Sequence, residues 1–320
     1  MTRTAPRDAG TGDHRNDRDD RDDDRDRGDG TAGQQAREQA VTDEVVASFA
    51  GATGERYREV MTSLVRHLHA FARDVRLTEA EWAAGIDFLT RTGHLTDDRR
   101  QEFILLSDVL GLSMLTVGIN APDSAGATES TVLGPFFVEG APEVELGGDI
   151  ALGARGTPCW VSGQVRSTDG TPLPGAHIEV WEADEGGFYD VQYEGERTQA
   201  RGWLTAAGDG GYRFWSVLPT AYRIPDDGPA GELLAAAGRR AMRPAHLHFK
   251  VDAPGHRTLI THVFVDGDEH LRSDVVFGVK DSLIVAAPEH EGGTAPDGTA
   301  RDGRWAEIPF DLVLAPERER

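Results

Sequence analysis

Two histidine pairs of identical spacing occur in the chain, and only one of them suits a metal ion. His246 and His248 lie in the apolar run "AHLHF", which alternates like a β-strand. Residues i and i+2 of a strand project from the same face, so both imidazoles can reach one ion. His67 and His69 lie in the helical pattern "RHLHAF", where residues two apart point in different directions. We therefore interpret this other pair as helix-surface or packing histidines.

Two tyrosines can supply the further ligands that a pair of histidines needs. Cys159 is the only cysteine, so Asp, Glu and Tyr remain as anionic donors. Tyr189 and Tyr222 lie in Gly- or Pro-rich loops beside predicted strands, "DEGGFYDVQYEG" and "PTAYRIPDDGP". A phenol ordinarily ionises near a pH of about 10, but a highly charged ion such as Fe(III) can drive that loss. The residue types fit an iron site, and ordinary tyrosines at strand ends explain the spacing equally well.

The elements that must position these side chains change character near residue 119. From about residue 155 onward, short runs of β-branched and aromatic residues alternate with Gly, Pro and Asp, as in "CWVSGQV", "GAHIEVWEAD" and "AEIPFDLVLA". This pattern predicts strands separated by tight turns and is typical of an antiparallel β-sandwich. "STVLGPFF" at residues 130–137 indicates an extended connector that leads into this region.

Residues 41–118 show helical periodicity. Apolar side chains recur every three or four residues in "ERYREVMTSLVRHLHAFARDV", which gives one apolar stripe. Thr78 and Glu81 have the spacing of a capping box before a second helix. A third segment, "DDRRQEFILLSDVLGLSMLTVGI", is long and apolar. We predict three parts: a disordered charged tail over 1–40, a helical domain over 41–125 and a β-sandwich domain over 126–320.

Charge and composition limit the partners of the protein. The net charge is −22 over 320 residues, and such an acidic surface repels nucleic acid and anionic membranes. The first 34 residues hold seven Arg and ten Asp and almost no large apolar side chains, which predicts disorder. The N-terminus lacks the apolar core of a signal peptide, and no apolar run approaches the roughly 20 residues of a membrane span. We expect a soluble cytoplasmic protein that binds no nucleic acid and has no membrane span.

The order and spacing of three motifs resemble those of the intradiol ring-cleavage dioxygenases. "GFYD", "AYRIPDDGP" and "RPAHLHF" follow one another in that family's register. The resemblance covers about residues 43–315 and leaves out the charged tail. It implies a non-haem Fe(III) enzyme that opens catechols between their two hydroxyl groups. It also implies that the β-sandwich is the catalytic domain and that the helical region is a dimerisation domain.

The resemblance implies roles for particular residues. One Fe(III) per subunit is held by Tyr189, Tyr222, His246 and His248. Tyr222 leaves the metal during turnover while Tyr189 stays. Arg243 matches an arginine that stabilises negative charge on the reacting ring, although a surface ion pair is the alternative. Further positions match the family's substrate pocket: Leu105, Asp108, Val132, Leu133, Gly134, Pro135, Phe136, Ile224 and Pro225. For the apolar members of this set, plain core packing is the alternative.

One departure from the family pattern bears on the substrate. Many members that cleave catechol carry a glutamine where this chain has His262. The stretches "THVFVDGDEHLRSD", "EADEGGFYDVQY" and "MRPAHLHF" resemble the branch that cleaves hydroxyquinol, benzene-1,2,4-triol, to 3-hydroxy-cis,cis-muconate in equilibrium with maleylacetate. Asp108 could accept a hydrogen bond from the third hydroxyl. His262 is either a partner of the metal ligands or simply a strand residue.

Three alternative functions stay open from the sequence. A catechol or chlorocatechol 1,2-dioxygenase has the same iron site and differs in ring preference. A cupin-like metal protein also places His-x-His on a strand, but it has no use for both tyrosines. A non-enzymatic transthyretin-like sandwich that binds carbohydrate or protein needs no set of metal ligands at all.

The apolar stripe of the helical region predicts a second copy of the chain as partner. The stripe is too apolar for a free surface. The resemblance implies a homodimer through residues 43–118, and some members of the family hold a lipid in that interface.

Overall fold

The computed structural model describes residues 23–97, 100–121, 125–195 and 197–317. The chain divides into two compact units, Met1–Gly85 and Ile86–Arg320. The helices are α1 (Asp23–Ser48), α2 (Glu55–Asp74), α3 (Glu79–Leu95), α4 (Glu102–Val109), α5 (Leu112–Asn120) and α6 (Pro229–Ala236). The strands are β1 (Pro158–Ser167), β2 (His177–Trp181), β3 (Arg201–Thr205), β4 (Gly211–Val217), β5 (Tyr222–Arg223), β6 (Met242–Arg243), β7 (His246–Asp252), β8 (Leu259–Val265), β9 (Ile284–Val285), β10 (Glu289–Thr294), β11 (Ala300–Pro309) and β12 (Leu312–Leu314).

The tail predicted to be disordered differs in part from the structure. Residues 1–22 lie outside the described residues, whereas residues 23–40 belong to helix α1. Residues 31–40, "TAGQQAREQA", are rich in Ala, Gln, Arg and Glu, which favour helix even where no apolar face is buried. Hydrogen bonds one turn apart support the helix: Gln34 to Glu38 at 3.1 Å and Gln39 to Asp43 at 2.8 Å. The expectation of disorder over residues 23–40 is corrected accordingly.

Helices α1 and α2 pack through a buried threonine. Thr42 Oγ1 lies 3.0 Å from Nδ1 of His69 and accepts from Arg73 Nη1 at 2.7 Å. His67 Nδ1 instead lies 2.8 Å from the carbonyl oxygen of Ser63, one turn earlier. The two histidines of α2 therefore have separate partners, as their helical spacing predicts.

Two five-stranded sheets form the second unit. One has the order β10-β11-β1-β12 with β4 also paired to β1, and the other has the order β3-β2-β7-β8-β9. Strands β5 and β6 form a separate two-stranded ladder. The prediction of a purely antiparallel sandwich needs correction, because β1 pairs in parallel with β11 and β12, and β8 with β9. Long connections join these pairs, and strands that are not linked by hairpins are free to run in parallel.

One predicted strand, "AEIPFDLVLA", is divided in the structure. Strand β11 ends at Pro309 and β12 begins at Leu312. Proline has no N–H for a ladder, so it favours the end of a strand over its middle. Strand β1 pairs with β11 through Cys159–Ser162 and with β12 through Val165–Ser167.

The main apolar core draws on both sheets. It includes Val161 of β1, Phe214 of β4, and Leu247 and Phe249 of β7, all with no exposed surface. Because β7 alternates its side chains, its two histidines project from the opposite face. A second apolar cluster combines side chains of α4 and α6 with Tyr189 and with Tyr222 of β5.

The boundary predicted near residue 125 does not coincide with the division between the units. Helix α4 buries Leu105, Leu106 and Val109 in the second apolar cluster, together with residues of the sheet-bearing unit. Helices α4 and α5 therefore belong to Ile86–Arg320. Among the described residues no helix alone has the length and apolar character to cross a bilayer, and only the bent pair α4 and α5, at 77°, meets that test jointly. The location of the protein in the cell stays a prediction.

Candidate metal centre

Strand β7 carries His246 and His248 on its face away from the sandwich core. Both imidazoles are buried, and their residues are 2% and 1% exposed. Their Nε2 atoms lie 3.1 Å apart. Leu247, between them, enters the core instead, as alternation along a strand requires. The backbone thus brings two imidazole nitrogens to one point.

The second ring nitrogen of His246 determines which of its atoms can bind a metal. Nδ1 lies 2.7 Å from the carbonyl oxygen of Pro244. A carbonyl oxygen can only accept, so Nδ1 carries the proton and Nε2 keeps its lone pair. Metal-binding histidines commonly have this arrangement, because the outer hydrogen bond fixes both tautomer and ring orientation.

Both predicted tyrosines reach the histidine pair. Tyr189 immediately precedes the 3₁₀ turn Asp190–Gln192, and its Oη lies 2.8 Å from Nε2 of His248. Tyr222 lies on β5, with its ring centroid 5.3 Å from that of Tyr189 and 5.6 Å from that of His246. The structure therefore gathers two phenols and two imidazoles in one buried group.

Arg243 lies beside this group. It is 3% exposed and pairs with Tyr222 across the β5–β6 ladder. Its Nη1 is 3.1 Å from His246 Nε2 and 3.5 Å from Tyr222 Oη. Its Nε donates to Oδ1 of Asp274 at 3.2 Å. A buried carboxylate thus balances the guanidinium, and the alternative of a surface ion pair does not describe this arginine.

His262 brings a third imidazole to the same place. It faces His248 across the β7–β8 ladder, with ring centroids 4.2 Å apart. Its Nδ1 lies 3.3 Å from Nη2 of Arg243. One ring nitrogen from each of His246, His248 and His262 falls within 4.8 Å of the other two. His262 therefore belongs to the site and is not a remote strand residue.

Burial disfavours the charged forms of the three imidazoles and of the Tyr189 phenol. It lowers the pKa of His246, His248 and His262 well below the ordinary value, and neighbouring positive charge adds to the effect. Burial likewise raises the pKa of the Tyr189 phenol well above its ordinary value, and the nearby Tyr222 raises it further. A phenolate can form here only when a strong positive charge stabilises it.

A cavity opens beside Tyr222 and Arg243. It is lined by Leu105, Asp108, Val132, Gly134, Pro135, Phe136, Tyr222, Ile224, Pro225, Arg243 and Val276. Of the predicted pocket residues, only Leu133 is not part of this lining. Leu133 packs, partly buried, against the second apolar cluster. Its two neighbours, Val132 and Gly134, line the cavity.

Asp108 is the acidic residue of this lining. It is 3% exposed, and its Oδ1 has no hydrogen-bond partner among the residues that the structure describes. Burial raises the pKa of its carboxyl group, while Ser113 and the charge of Arg243 oppose the change. An unpaired oxygen in a buried wall can accept a hydrogen bond from a hydroxyl group of a ligand.

Comparison with known proteins identifies the family. A model described as Dioxygenase matches residues 132–316, and one described as Catechol dioxygenase N terminus matches residues 54–128. Hydroxyquinol 1,2-dioxygenase of Nocardioides simplex is 59% identical over 89% of this chain and 98% of its own length. The chain belongs to the intradiol dioxygenases. The resemblance seen in the sequence is confirmed.

Solved structures of intradiol dioxygenases share the fold. The crystal structure of hydroxyquinol 1,2-dioxygenase from Pseudomonas putida DLL-E4 matches with a TM-score of 0.82 and 43% identity, over 88% of this chain and 100% of that chain. Catechol 1,2-dioxygenase from Pseudomonas arvilla C-1 matches with a TM-score of 0.77 and 28% identity, over 88% of this chain and 92% of that chain. The predicted architecture, a helical N-terminal region followed by a catalytic β-sandwich, is confirmed apart from its mixed sheets.

The side chains of this intradiol dioxygenase fit the non-haem iron that the family implies. Imidazole nitrogen suits iron, and phenol oxygen is a donor that a trivalent cation can deprotonate. The tautomer of His246 leaves a lone pair aimed at the point that His248 and Tyr189 also approach. Without a cation, this point would hold only neutral donors in a buried place.

Sequence reasoning missed two residues of the site, Val276 and Asp274. Val276 lines the cavity, and Asp274 accepts from the backbone N–H of Gly278 at 2.8 Å as well as from Arg243. Both lie in the loop after β8, in "SDVVFG". The only signal in the sequence is one acidic residue directly before an apolar run, and many surface loops share that feature.

Proposed function

We propose that this chain is a hydroxyquinol 1,2-dioxygenase. It cleaves benzene-1,2,4-triol between its adjacent hydroxyls with O2, incorporating both oxygen atoms, to 3-hydroxy-cis,cis-muconate in equilibrium with maleylacetate. The observation that carries the proposal is the convergence of two tyrosines and two histidines beside a cavity lined by Asp108. The 59% identity to a relative with that name supports the triol as substrate.

The ligands of one Fe(III) per subunit are Tyr189, Tyr222, His246 and His248. A ferric ion held by them would supply the positive charge that favours deprotonation of both phenols, and it would withdraw electron density from a bound diol. Two phenolates and two neutral imidazoles leave part of the trivalent charge for the substrate diol to balance. His262 is left out of the set because the family resemblance assigns the four ligand positions to the other residues, and its Nδ1 lies 3.3 Å from Arg243 Nη2.

Of the two phenols, Tyr222 is the one suited to leave and to take a proton from the substrate. Tyr189 is held by stacking on Phe136, with centroids 4.5 Å apart and planes inclined by 21°, and by the 3₁₀ turn that follows it. Tyr222 makes only a wider edge contact with Phe136, with centroids 6.4 Å apart, and it lies on the cavity wall. A released phenolate next to the incoming hydroxyl is a strong base, so it can accept that proton.

Arg243 stabilises negative charge that develops on the ring. The guanidinium lies on the cavity wall and is buried, so little water screens it. Asp274 holds its Nε end, which leaves Nη1 directed at His246 Nε2 and Nη2 at His262 Nδ1. The charge is therefore fixed in place before the substrate enters.

Homodimerisation through α2 is the second part of the proposal. Five apolar side chains of α2 form a stripe, and each is 45–58% exposed: Tyr57, Val60, Leu64, Leu68 and Phe71. Their three- and four-residue spacing places them on one face. A contiguous apolar face of this kind in a soluble protein favours a partner, and a second copy presents the same face. A lipid in that interface is proposed on family resemblance alone.

Oxygen uptake by the iron-loaded, full-length enzyme tests the substrate assignment. We expect kcat/KM for hydroxyquinol to exceed that for catechol and chlorocatechols, because only the triol offers Asp108 a third hydroxyl. The concentrated enzyme should be red, since phenolate-to-Fe(III) charge transfer absorbs visible light. A preparation with stoichiometric iron and no such colour contradicts tyrosinate ligation.

The same panel separates the nearest alternative. Catechol or chlorocatechol preferred over the triol would assign the chain to catechol-type ring cleavage with the same iron site. No oxygen uptake with any diol, at full iron content, would contradict ring cleavage itself.

A further inference from the structure

Arg201 joins two segments that approach the iron ligand Tyr189. It begins strand β3, and its side chain and that of Asp190 are 5% and 4% exposed. Its Nε lies 3.0 Å from Asp190 Oδ2 and its Nη2 lies 2.6 Å from Oδ1, so the contact is bidentate. Nη2 also donates to the carbonyl oxygen of Phe136 at 2.8 Å.

Both segments determine where the Tyr189 ring lies. Asp190 follows Tyr189 in the chain and begins the 3₁₀ turn. Phe136 stacks on the Tyr189 ring, with centroids 4.5 Å apart and planes inclined by 21°. One guanidinium therefore holds the backbone that carries the phenol and the backbone that carries its stacking partner.

The sheet that carries the histidines anchors this guanidinium. Arg201 of β3 pairs with Trp181 of β2, and Trp181 pairs with His248 of β7. The Trp181 and His248 rings also stack, with centroids 4.7 Å apart. Strands β2 and β7 lie inside the sheet, while β3 is its edge strand and pairs with β2 over the whole of Arg201–Thr205. The backbone N–H of Arg201 also donates to the carbonyl oxygen of Ile150 at 3.2 Å, outside the sheet. Because hydrogen-bonded strands of this kind open late, the separation between Arg201 and His248 is nearly constant.

We propose that Arg201 is a positioning residue for the Tyr189 phenolate. Its bidentate contact with Asp190 and its hydrogen bond to Phe136 hold the Tyr189 ring at a fixed position relative to strands β3, β2 and β7. Without these contacts, the position of Tyr189 would depend on its loop alone. The inference rests on the proposed function, since it requires a metal that Tyr189 binds. It goes beyond that function by assigning a task to a residue that touches neither iron nor substrate.

The positioning role requires the bidentate geometry of the Arg201 guanidinium, and not only its positive charge. A lysine keeps the positive charge, but its ammonium group is a single point on a flexible chain. It cannot hold two carboxylate oxygens and a carbonyl oxygen in the geometry that Arg201 gives them. If Arg201 served only to balance Asp190, Arg201→Lys would leave the iron site unchanged.

The test uses the full-length, iron-loaded Tyr222→Phe enzyme, in which Tyr189 is the one phenolate ligand left. The charge-transfer band and the iron affinity, from competition with a chelator, are measured after adding Arg201→Lys or the control Lys250→Gln. Lys250 lies on the same sheet and pairs with Glu179 at 2.7 Å, outside the cavity lining. We expect Arg201→Lys to shift the band and weaken iron binding roughly 10- to 100-fold, and Lys250→Gln to do neither.

Each result has one interpretation. An unshifted band together with the control's iron affinity overturns the positioning role and leaves the proposed function standing. A colourless enzyme before any substitution, at full iron content, overturns the proposed function itself. Should Arg201→Lys fail to fold, Asp190→Asn replaces it, because it keeps the shape of the partner and removes the charge that binds the Arg201 guanidinium. A shifted band in Asp190→Asn supports the role, and an unshifted one overturns it.

Discussion

Asp108 is the side chain on which discrimination between diol and triol depends in the proposed enzyme. Burial disfavours its charge, yet Arg243 on the same cavity wall favours it. Its Oδ1 has no partner in the described part of the chain. A buried polar atom in this condition gains most from a ligand that completes its hydrogen bonding. Catechol cannot do so, since it has no third hydroxyl.

Replacing Asp108 by Ala should therefore reduce the preference for hydroxyquinol. We expect the ratio of kcat/KM for hydroxyquinol to that for catechol to fall roughly tenfold or more, the equivalent of one hydrogen bond to a charged group. Steady-state oxygen uptake with both substrates measures it. Asp108→Asn, which keeps an acceptor oxygen, should lose less of the ratio. An unchanged ratio in Asp108→Ala would eliminate this role.

Individual site residues could be predicted from the sequence where a short stretch of the chain carries a recognisable pattern. Two histidines two apart in an apolar alternating run could be placed on one face of a strand without any structure. Tyr189, Tyr222 and Arg243 came from motif spacing. Asp274 and Arg201 could not be found this way, because they reach the site through a loop closure and a cross-strand register that no local pattern encodes.

The connector of residues 130–137 is the element that closes the site over the histidines. Gly134 has a φ of +79°, in the left-handed region that favours glycine. A Cβ atom there would lie 3.3 Å from Cε1 of His248. The connector thus depends on glycine for its backbone conformation and for its closeness to His248, one of the proposed iron ligands.

Gly134→Ala should consequently weaken iron binding as well as stability. Gly140 is the matched control, since its φ of +82° is similar and its Cβ would meet nothing within 4 Å. Both variants should lose about 1–2 kcal/mol of unfolding free energy from the left-handed backbone. Only Gly134→Ala should release iron to a chelator more readily. Denaturant unfolding measures the loss of unfolding free energy, and competition with a chelator measures the iron affinity. Equal iron affinity in the two variants would contradict the effect of a Cβ at residue 134 on His248.

Element types were more predictable than element pairing. Periods of two and of three to four residues marked most strands and helices correctly, including the His-bearing β7 and the apolar α2. Pairing was not predictable, because β11 and β12 meet β1 only after a long excursion of the chain. The part of helix α1 before residue 41 was not predicted, because its residues favour helix through propensity and local side-chain bonds, without an apolar stripe.

For the molecule as a whole, the exposed apolar stripe of α2 is the feature that supports the proposed homodimer. Leu64 and Leu68 lie near its middle, one turn apart, and are 47% and 55% exposed. Burying both against the same residues of a partner would remove a large apolar area from water. The stripe lies within Met1–Gly85, whereas the site lies within Ile86–Arg320.

Leu68→Asp should convert the proposed dimer to a monomer. A carboxylate near the middle of an apolar interface costs several kcal/mol when buried unpaired, which exceeds what most dimers of ordinary size can lose. Light scattering after size exclusion measures the mass. Arg66→Glu, on an exposed position of α2 outside the stripe, is the control and should stay dimeric. A dimer that survives Leu68→Asp would place the interface elsewhere.

Asp274 has two tasks, and together they limit how the substrate range of this enzyme could be changed. Its carboxylate accepts a hydrogen bond from Arg243 and another from the backbone N–H of Gly278, in the loop that contributes Val276 to the cavity wall. Remodelling that wall for bulkier or halogenated rings would therefore disturb the guanidinium that we propose stabilises charge on the ring. Laboratory evolution of this loop should then lose turnover as it gains breadth of substrate. The lining residues Leu105 of helix α4 and Val132 of the connector carry neither of these tasks, so they are the better places to randomise.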